Sequence, residues 1–518
     1  MSRVRSVELI VGMEVHVELA THTKMFSRAG NPAHRQFEAA EPNTLVDETV
    51  LGLPGALPVM NREAIEMAML VGLALGCSIA RRAKWDRKSY MYADLPKGYQ
   101  ISQYDLPLCF DGAVDVRAEN ERGVVDLARP ARRVRIERAH LEEDAGKLLH
   151  DAPGGEAIDF SIVDFNRAGT PLLEIVTAPD FRSADEAVGF ARRLRQTCRA
   201  LDVSACVMQK GQIRFEPNIN TQLTLDDGRV VRTPIVEVKN LNSFRALRGA
   251  IEYELAEQPK RWERDGREQG PGTKSTRGWD DQRGMTVPQR EKEDAHDYRY
   301  FPDPDLMPVI VDEAWQARVR ERLGELPGEV FERLVGEDGL GASAAGQIVD
   351  EPGLTRLYVD AAATCERCGL DRGAAARGVS NILLQVGAKL ANERGVLVHE
   401  LGVHPDQLAE IVAMREEGVI GSSAADVLFE KLCDPSTAGQ SARQVAESAG
   451  LLTVRDEGQL TAWVDQVLKA NAPIVEQIRS GKTQAIGRLI GETMKLSGGA
   501  ADAGEVRRLI LEKIGGWS

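Results

Sequence analysis

The sequence predicts an α+β region over residues 1–307, followed by two all-helical domains at 308–404 and 405–518. Three observations carry this. Up to about residue 310, short β-rich runs mix with Gly/Pro turns and a few helical stretches. After Pro308 the pattern changes to amphipathic helix punctuated by Gly and Pro. A chain of 518 residues also exceeds what one compact core accommodates.

The strand runs are Leu9-Ile10-Val11, Val15 to Leu19, Ile162-Val163, Leu172 to Thr177 and Ile235 to Val238. Apolar residues at three- and four-residue spacing predict helices over Asn61 to Leu75 and Ser183 to Leu201, the second with acidic residues in its first turn. Between Gln258 and Gly284 the chain is charged, Gly-rich and poor in apolar residues, which predicts a long exposed excursion outside any core. Further on, helices are expected at Ala314 to Leu323, Gly328 to Val335, Leu354 to Cys365 and Ser380 to Glu393. A second helical set runs from near Pro405 to Ile514, punctuated by Gly418 to Gly421, Gly450 and the small-residue run Ser497 to Gly504.

Composition excludes several function classes. A net charge of −14 argues against bulk attraction to nucleic acid, so any RNA contact must be local. The candidates are Arg81-Arg82-Ala83-Lys84 with Arg87-Lys88, Arg132-Arg133 with Arg135 and Arg138, and Arg192-Arg193 with Arg195 and Arg199, although a solvated face is the commoner role of such runs. Seven scattered cysteines, an odd number, predict reduced thiols. Cys365 and Cys368 form the one CxxC pair, which lacks the second half of a zinc site and reads as structural. No stretch approaches the roughly 20 apolar residues of a membrane span, and Met1-Ser2-Arg3-Val4-Arg5 carries no secretory pattern, so a cytoplasmic address without membrane contact is expected.

Three segments concentrate acids. As a strand, Met13 to Leu19 places Glu14, His16 and Glu18 on one face and Val15 and Val17 on the other, as a solvent-facing sheet surface also does. His140 to Lys147 holds Glu142, Glu143 and Asp144 before a glycine, and Pro171 to Val176 embeds Glu174 in an apolar strand. A carboxylate there needs a counter-charge. Either a divalent metal shared by His16, Glu143 and Glu174 supplies it, with Mg²⁺ the natural ion for oxygen-rich ligation, or a basic side chain such as Arg167 does. Spacing leaves both open. Basic-containing polar loops recur around Lys97, Arg167, Lys239 and Arg299, which suits phosphoryl chemistry, but none matches a P-loop, GxGxxG, GxSxG or HExxH pattern.

At these segments the chain resembles the B subunits of bacterial aspartyl/glutamyl-tRNA(Asn/Gln) amidotransferases. The family-like blocks, in order, are Glu14 to Leu19, Thr23 to Ser27, Leu51 to Asn61, Asp94 to Asp105, His140 to Lys147, Asp164 to Val176, Glu237 to Phe244 and Glu293 to Pro308. The resemblance implies a glutamine-synthetase-like catalytic cradle on an antiparallel sheet, a helical domain and a helical tail that helps to bind tRNA. It implies an ATP-dependent carbon-nitrogen ligase that phosphorylates the side-chain carboxylate of Glu-tRNA(Gln) or Asp-tRNA(Asn). Glutamine-derived ammonia from the amidase, or A, subunit then amidates it, and the small C subunit holds the pair together. By motif position, His16, Glu143 and Glu174 would hold Mg²⁺, Glu14 would lie close to the reacting centre, and Arg167 and Glu216 would be catalytic. Lys97, Lys239 and Arg299 would contact ATP or substrate.

The departures are specific. Where some relatives bind zinc through cysteines, this chain has Ser27, Ala29, Asp47 and Val50, so no zinc is expected. Glu216-Pro217 replaces a usual Asp-Ala, which lengthens the acid by one methylene and removes a backbone donor, and Ala93 replaces a usual proline. Lys495 to Ala503 lacks the usual basic charge, which weakens phosphate contact from the tail. Two other function classes fit the same residues: a stand-alone carboxylate-amine ligase, and a non-catalytic tRNA-binding scaffold whose acids merely pair with bases.

Overall fold

Fifteen residues of mostly alternating polarity, Val4–Glu18, form β1, the strand on which the first half of the protein is organised. The computed structural model describes residues 3–151, 156–291, 298–453, 457–479, 483–498 and 500–515. The chain divides into two compact units, Met1–Val330 and Phe331–Ser518.

In the first unit β1 is followed by α1 (Arg62–Ala74), β2 (Ser78–Ile79), β3 (Arg82–Ala83), β4 (Asp86–Ser89), β5 (Tyr99–Ser102), β6 (Cys109–Val116) and β7 (Arg132–Glu143). Then come β8 (Lys147–Asp151), β9 (Ala157–Asp164), β10 (Pro171–Thr177), α2 (Ala184–Ala200), β11 (Ile213–Leu225), β12 (Val230–Arg232), β13 (Val236–Lys239) and α3 (Phe244–Asp265). The unit closes with β14 (Ser275–Asp280), β15 (Met285–Glu291), β16 (Phe301–Pro302), β17 (Val309–Ile310) and α4 (Glu313–Arg320).

One large sheet runs in the order β15-β14-β13-β11-β1-β10-β7-β6-β2, with β12 also paired to β11. Its pairs are antiparallel except β13 with β14, which corrects the expectation of an all-antiparallel sheet. Alternation decides which face is which. Val15, Val17, Ile175, Leu173, Leu141, Phe215 and Ile213 are 0–1% exposed and join α1, α2 and α3 in one apolar core. At about 1.5–3 kcal/mol for each large aliphatic side chain fully buried, this layer fixes both register and face. The two helices expected here form where their caps start them: the Asn61 side chain accepts from the N–H groups of Glu63 and Ala64, and that of Ser183 from Glu186. Gly189 of α2 lies where a Cβ would strike the Arg117 carbonyl, so helix and sheet approach closely there.

The stretch from Gln258 to Gly284 is exposed over residues 263–272 and 281–284, as its composition predicts, but it is not wholly outside the fold. It contains the last third of α3 and all of β14, with Gln258 and Thr276 buried. Gln258 donates to the Ile219 carbonyl at 3.0 Å. Hydrogen bonds hold this edge of the sheet, so hydrophobic periodicity carries no sign of it.

The second unit is helical. After α5 (Pro327–Gly336), which crosses the boundary, it contains α6 (Ala342–Val349), α7 (Pro352–Arg367), α8 (Arg372–Ile382), α9 (Ala388–Arg394), α10 (Pro405–Glu416), α11 (Ser422–Leu432) and α12 (Ala442–Ser448). It ends with α13 (Glu457–Ala470), α14 (Ala472–Arg479), α15 (Ile486–Leu496) and α16 (Ala503–Gly515). The single helix expected over Ser380 to Glu393 is instead the end of α8, a π-helical turn at Leu383–Gly387, and α9. Cys365 is buried in α7, Cys368 is exposed at its end, and the cysteines are free thiols. Within the run Ser497 to Gly504, Gly499 lies outside the described residues. Among the described residues no helix is long and apolar enough to cross a membrane.

Candidate active site

The polar face of the large sheet carries a row of ionisable side chains in register. His16 on β1 pairs with Glu174 on β10 and with Arg214 on β11, and Glu174 pairs in turn with His140 on β7. Directly paired residues project to the same face, so four neighbouring strands present Arg214, His16, Glu174 and His140 side by side. His16 Nε2 lies 3.4 Å from Glu174 Oε2, and His140 Nε2 lies 3.7 Å from the same oxygen and 3.3 Å from Glu142 Oε1. His16, Glu142 and Glu174 each offer one ligand atom, all within 4.8 Å of one another.

The surroundings hold these groups in place. Glu142 accepts from Gln100 Nε2 at 2.9 Å and from Ser102 Oγ at 2.7 Å. Arg214 pairs with Asp144 at 2.8 Å, and Lys239 with Glu216 at 2.7 Å. Asn218 Nδ2 donates to Glu14 Oε1 at 3.0 Å, and Lys274 Nζ is 3.9 Å from the same oxygen. The strand β16 pairs with β4, and Arg87 binds Asp303 at 2.7 Å, which brings Tyr298 beside Lys88 with the ammonium 5.1 Å from the ring centre.

Burial opposes charge throughout this face, and opposite charges overcome it at most positions. The Glu174 carboxyl is held well below its ordinary range against its burial, by the imidazoles of His140 and His16 and by Lys88. Despite burial, the His16 ring is raised by its hydrogen bond to Glu174 and by Glu216. Lys88 is likewise raised by Glu142, and Asp144 is lowered by Arg214 and Arg167, each against burial. Glu18 behaves oppositely: burial, reinforced by the Asp144 carboxylate, pushes it up to about 8. Burial pushes the Tyr300 phenol up to about 12.

The structure brings most of the sequence-predicted residues to this face. His16 and Glu174 are adjacent, Glu14 and Glu216 occupy the next register position, and Lys239 lies against Glu216. Arg167 donates to the carbonyls of Ala145 (3.0 Å) and Gly146 (2.7 Å) and stands 3.6 Å from Asp144, so it clamps the turn after β7. Behind it, the fully buried Lys24 donates to the carbonyls of Phe165 (3.3 Å) and Ala168 (2.7 Å), and burial drives its pKa down to about 7.

Two expectations change. Glu143 is not the third member of the cluster: it is one position out of phase with His140, and its carboxylate accepts from Lys97 Nζ and from the Ile101 N–H at 3.0 Å. Glu142, in phase with His140, takes that place, and Lys97 is committed to Glu143. Arg299 is exposed, with φ +46°, and makes no ion pair among the described residues; the preceding Glu293 to Asp297 lie outside them. Sequence reasoning misses Glu142, His140, Arg214, Asp144 and Lys88 as site residues. The alternation argument applied to Met13–Leu19 also identifies His140 and Glu142, since Leu141 takes the core face.

Residues 9–317 match the family model described as the GatB/GatE catalytic domain, and residues 370–514 match that of the GatB domain. The aspartyl/glutamyl-tRNA(Asn/Gln) amidotransferase B subunit of Moorella thermoacetica is 41% identical over 508 residues, covering 98% of this chain and 99% of the relative. The protein of the same name from Rhodopirellula baltica is 41% identical over 508 residues (98% and 97% covered), and that from Kineococcus radiotolerans 42% over 516 residues (98% and 97%).

Proposed function

The chain belongs to the GatB/GatE family, and from that premise we propose that it is the activating, tRNA-holding B subunit of a tRNA-dependent amidotransferase. Its substrates are Glu-tRNA(Gln) or Asp-tRNA(Asn) and ATP, its partners the amidase (A) and small (C) subunits, and its compartment the cytoplasm. The observation that carries this reading is the convergence of His16, Glu142 and Glu174 on one sheet face ringed by Lys88, Arg138, Arg214 and Lys239. Acids that can hold a cation beside bases that can hold phosphate are what carboxylate phosphorylation needs.

The donor set fits Mg²⁺. Two carboxylates and one imidazole within a few ångströms suit a small hard cation that keeps further positions for water and phosphate. His16 Nδ1 is buried without a hydrogen-bond partner among the described residues, while Nε2 faces Glu174. Mg²⁺ bound by His16, Glu142 and Glu174 would supply charge screening between phosphate and carboxylate.

The rest of the chemistry belongs to the chain's own groups. A side-chain carboxylate oxygen of the aminoacyl-tRNA attacks the terminal phosphorus of ATP, and ADP departs; Lys88 and Lys239 stabilise the phosphoryl oxygens. Ammonia attacks the acyl carbon, and phosphate departs. Glu14, oriented by Asn218, takes the proton from the incoming ammonium. Arg167 and Arg214 hold Asp144 and the turn that positions Glu142. We further propose that the first unit has a glutamine-synthetase-like cradle, and that the end of the helical second unit, rather than a separate domain from 405, contacts tRNA.

The test uses the reconstituted complex with ATP, Mg²⁺, glutamine and mischarged tRNA. ATP cleavage should depend on Glu-tRNA or Asp-tRNA, and turnover with free glutamate alone would overturn the assignment. Glu174→Gln should abolish amidation while leaving tRNA binding intact; unchanged amidation refutes the metal site.

A further inference from the structure

A polar cavity lies in the first unit, where the C-terminal end of α3 meets the start of β14. It measures about 250 Å³, and its wall includes Arg261, Trp262, Arg267, Lys274, Ser275 and Arg277. The cations outnumber their acids. Arg261 pairs with the fully buried Glu254, and Arg277 stands 3.5 Å from that same carboxylate. Glu254 is further occupied by donors from Gln258 and Thr286. One buried anion therefore serves two guanidiniums. Burial lowers the Arg277 guanidinium from its ordinary value; Glu254 opposes this, and Arg261 adds to it.

Lys274 lies 3.3 Å from Glu237, whereas Arg267, exposed at the lip, has no ion-pair partner among the described residues. The one carboxylate on the wall itself, Asp265, accepts from the backbone N–H of Arg267. The indole N–H of Trp262 is buried without an acceptor among the described residues.

We propose that this cavity binds the phosphate group of a small phosphorylated molecule, or free phosphate. Arg277 gives Nε and Nη2 to Thr286 at 2.7 and 2.8 Å, so among the described residues Arg267 at the lip is the cavity's uncommitted guanidinium fork, and an anion here relieves the repulsion between Arg261 and Arg277. The volume admits one phosphate with a sugar. The cavity is also coupled to the sheet face, because Lys274 on its wall reaches within 3.9 Å of Glu14. The inference rests on the cavity alone and holds whichever reaction the sheet face performs.

Calorimetric titration of the full chain with inorganic phosphate, with ADP and with an RNA stem-loop, all at one ionic strength, tests it. Phosphate or ADP should bind the wild-type chain, and Arg267→Glu and Ser275→Glu should each weaken that binding at least about tenfold, as loss of a charge-assisted contact does. Circular dichroism melts should match wild type, and because the two substitutions lie on different wall segments, either folded variant decides. Tighter binding of ADP than of phosphate identifies a nucleotide as the source, and the reverse identifies free phosphate. Absence of binding by wild type, binding unchanged in both variants, or binding of the RNA stem-loop without phosphate or ADP overturns the proposal.

Discussion

Replacing Lys24 by Met should reverse the order of stability between variant and wild type as pH rises. Lys24 is fully buried, and its pKa in the folded state is about 7 against an ordinary value of 10.5. Across that interval the unfolded chain binds more protons than the folded one, so this residue makes stability rise with pH from about 7 to 10.5 and fall to its minimum contribution below. At roughly 1.4 kcal/mol for each pH unit of the interval, the buried ammonium costs about 5 kcal/mol at neutral pH. Met fills a similar volume and removes that cost, but it also removes the two hydrogen bonds to Phe165 and Ala168, together about 2 kcal/mol net. Lys24→Met should therefore be more stable than wild type by about 3 kcal/mol at pH 7, equal near pH 9 and less stable above it. Urea unfolding of both chains at a series of pH values from 7 to 10 measures this directly. A stability difference that does not change with pH would refute the reasoning.

Other consequences follow from packing and pairing. Glu142→Gln should lower amidation by at least about 100-fold, whereas Glu143→Gln, which takes the carboxylate from half-buried Lys97, should destabilise by about 1–3 kcal/mol and lower amidation far less. Matching losses of amidation in the two variants would contradict the phase assignment on β7. Gly189→Ala drives a Cβ into the Arg117 carbonyl and should destabilise by about 1–3 kcal/mol, read as a lowered midpoint; a wild-type midpoint would refute the close approach. In the second unit, Tyr358→Phe removes a buried hydroxyl that donates to Asp338 at 3.0 Å, so a loss of about 1–2 kcal/mol in thermal unfolding is expected, and no shift in midpoint would count against it.

Much of the first unit is legible in the sequence because local signals agree. Asn61 and Ser183 announce helices that begin one residue later, and alternation in Met13–Leu19 assigns the faces of β1. Glu142 and Glu143 are hard to tell apart from sequence because three consecutive acids leave strand phase undefined until Leu141 is known to be in the core. The segment around β14 escapes sequence reading because Gln258 and Thr276 are buried through hydrogen bonds, and hydrophobic periodicity reports only apolar burial. Nor does the sequence mark the π-helical turn at Leu383–Gly387, whose apolar spacing suits an unbroken helix equally well. Lys88 joins the site through strand pairing: it stands opposite Gln100 on β5, which donates to Glu142, a contact that no local pattern announces.

The row formed by Arg214, His16, Glu174 and His140 ties the chemistry of this protein to the correctness of its folding. Because side chains alternate strictly along a strand, slipping β10 by one residue against β1 would send Glu174 into the apolar layer and lift Leu173 or Ile175 onto the polar face. That error would bury a charge and expose a core aliphatic at once. A misregistered sheet is thereby excluded on stability before it could present a defective site, so the candidate site and protection against misfolding rest on the same side chains.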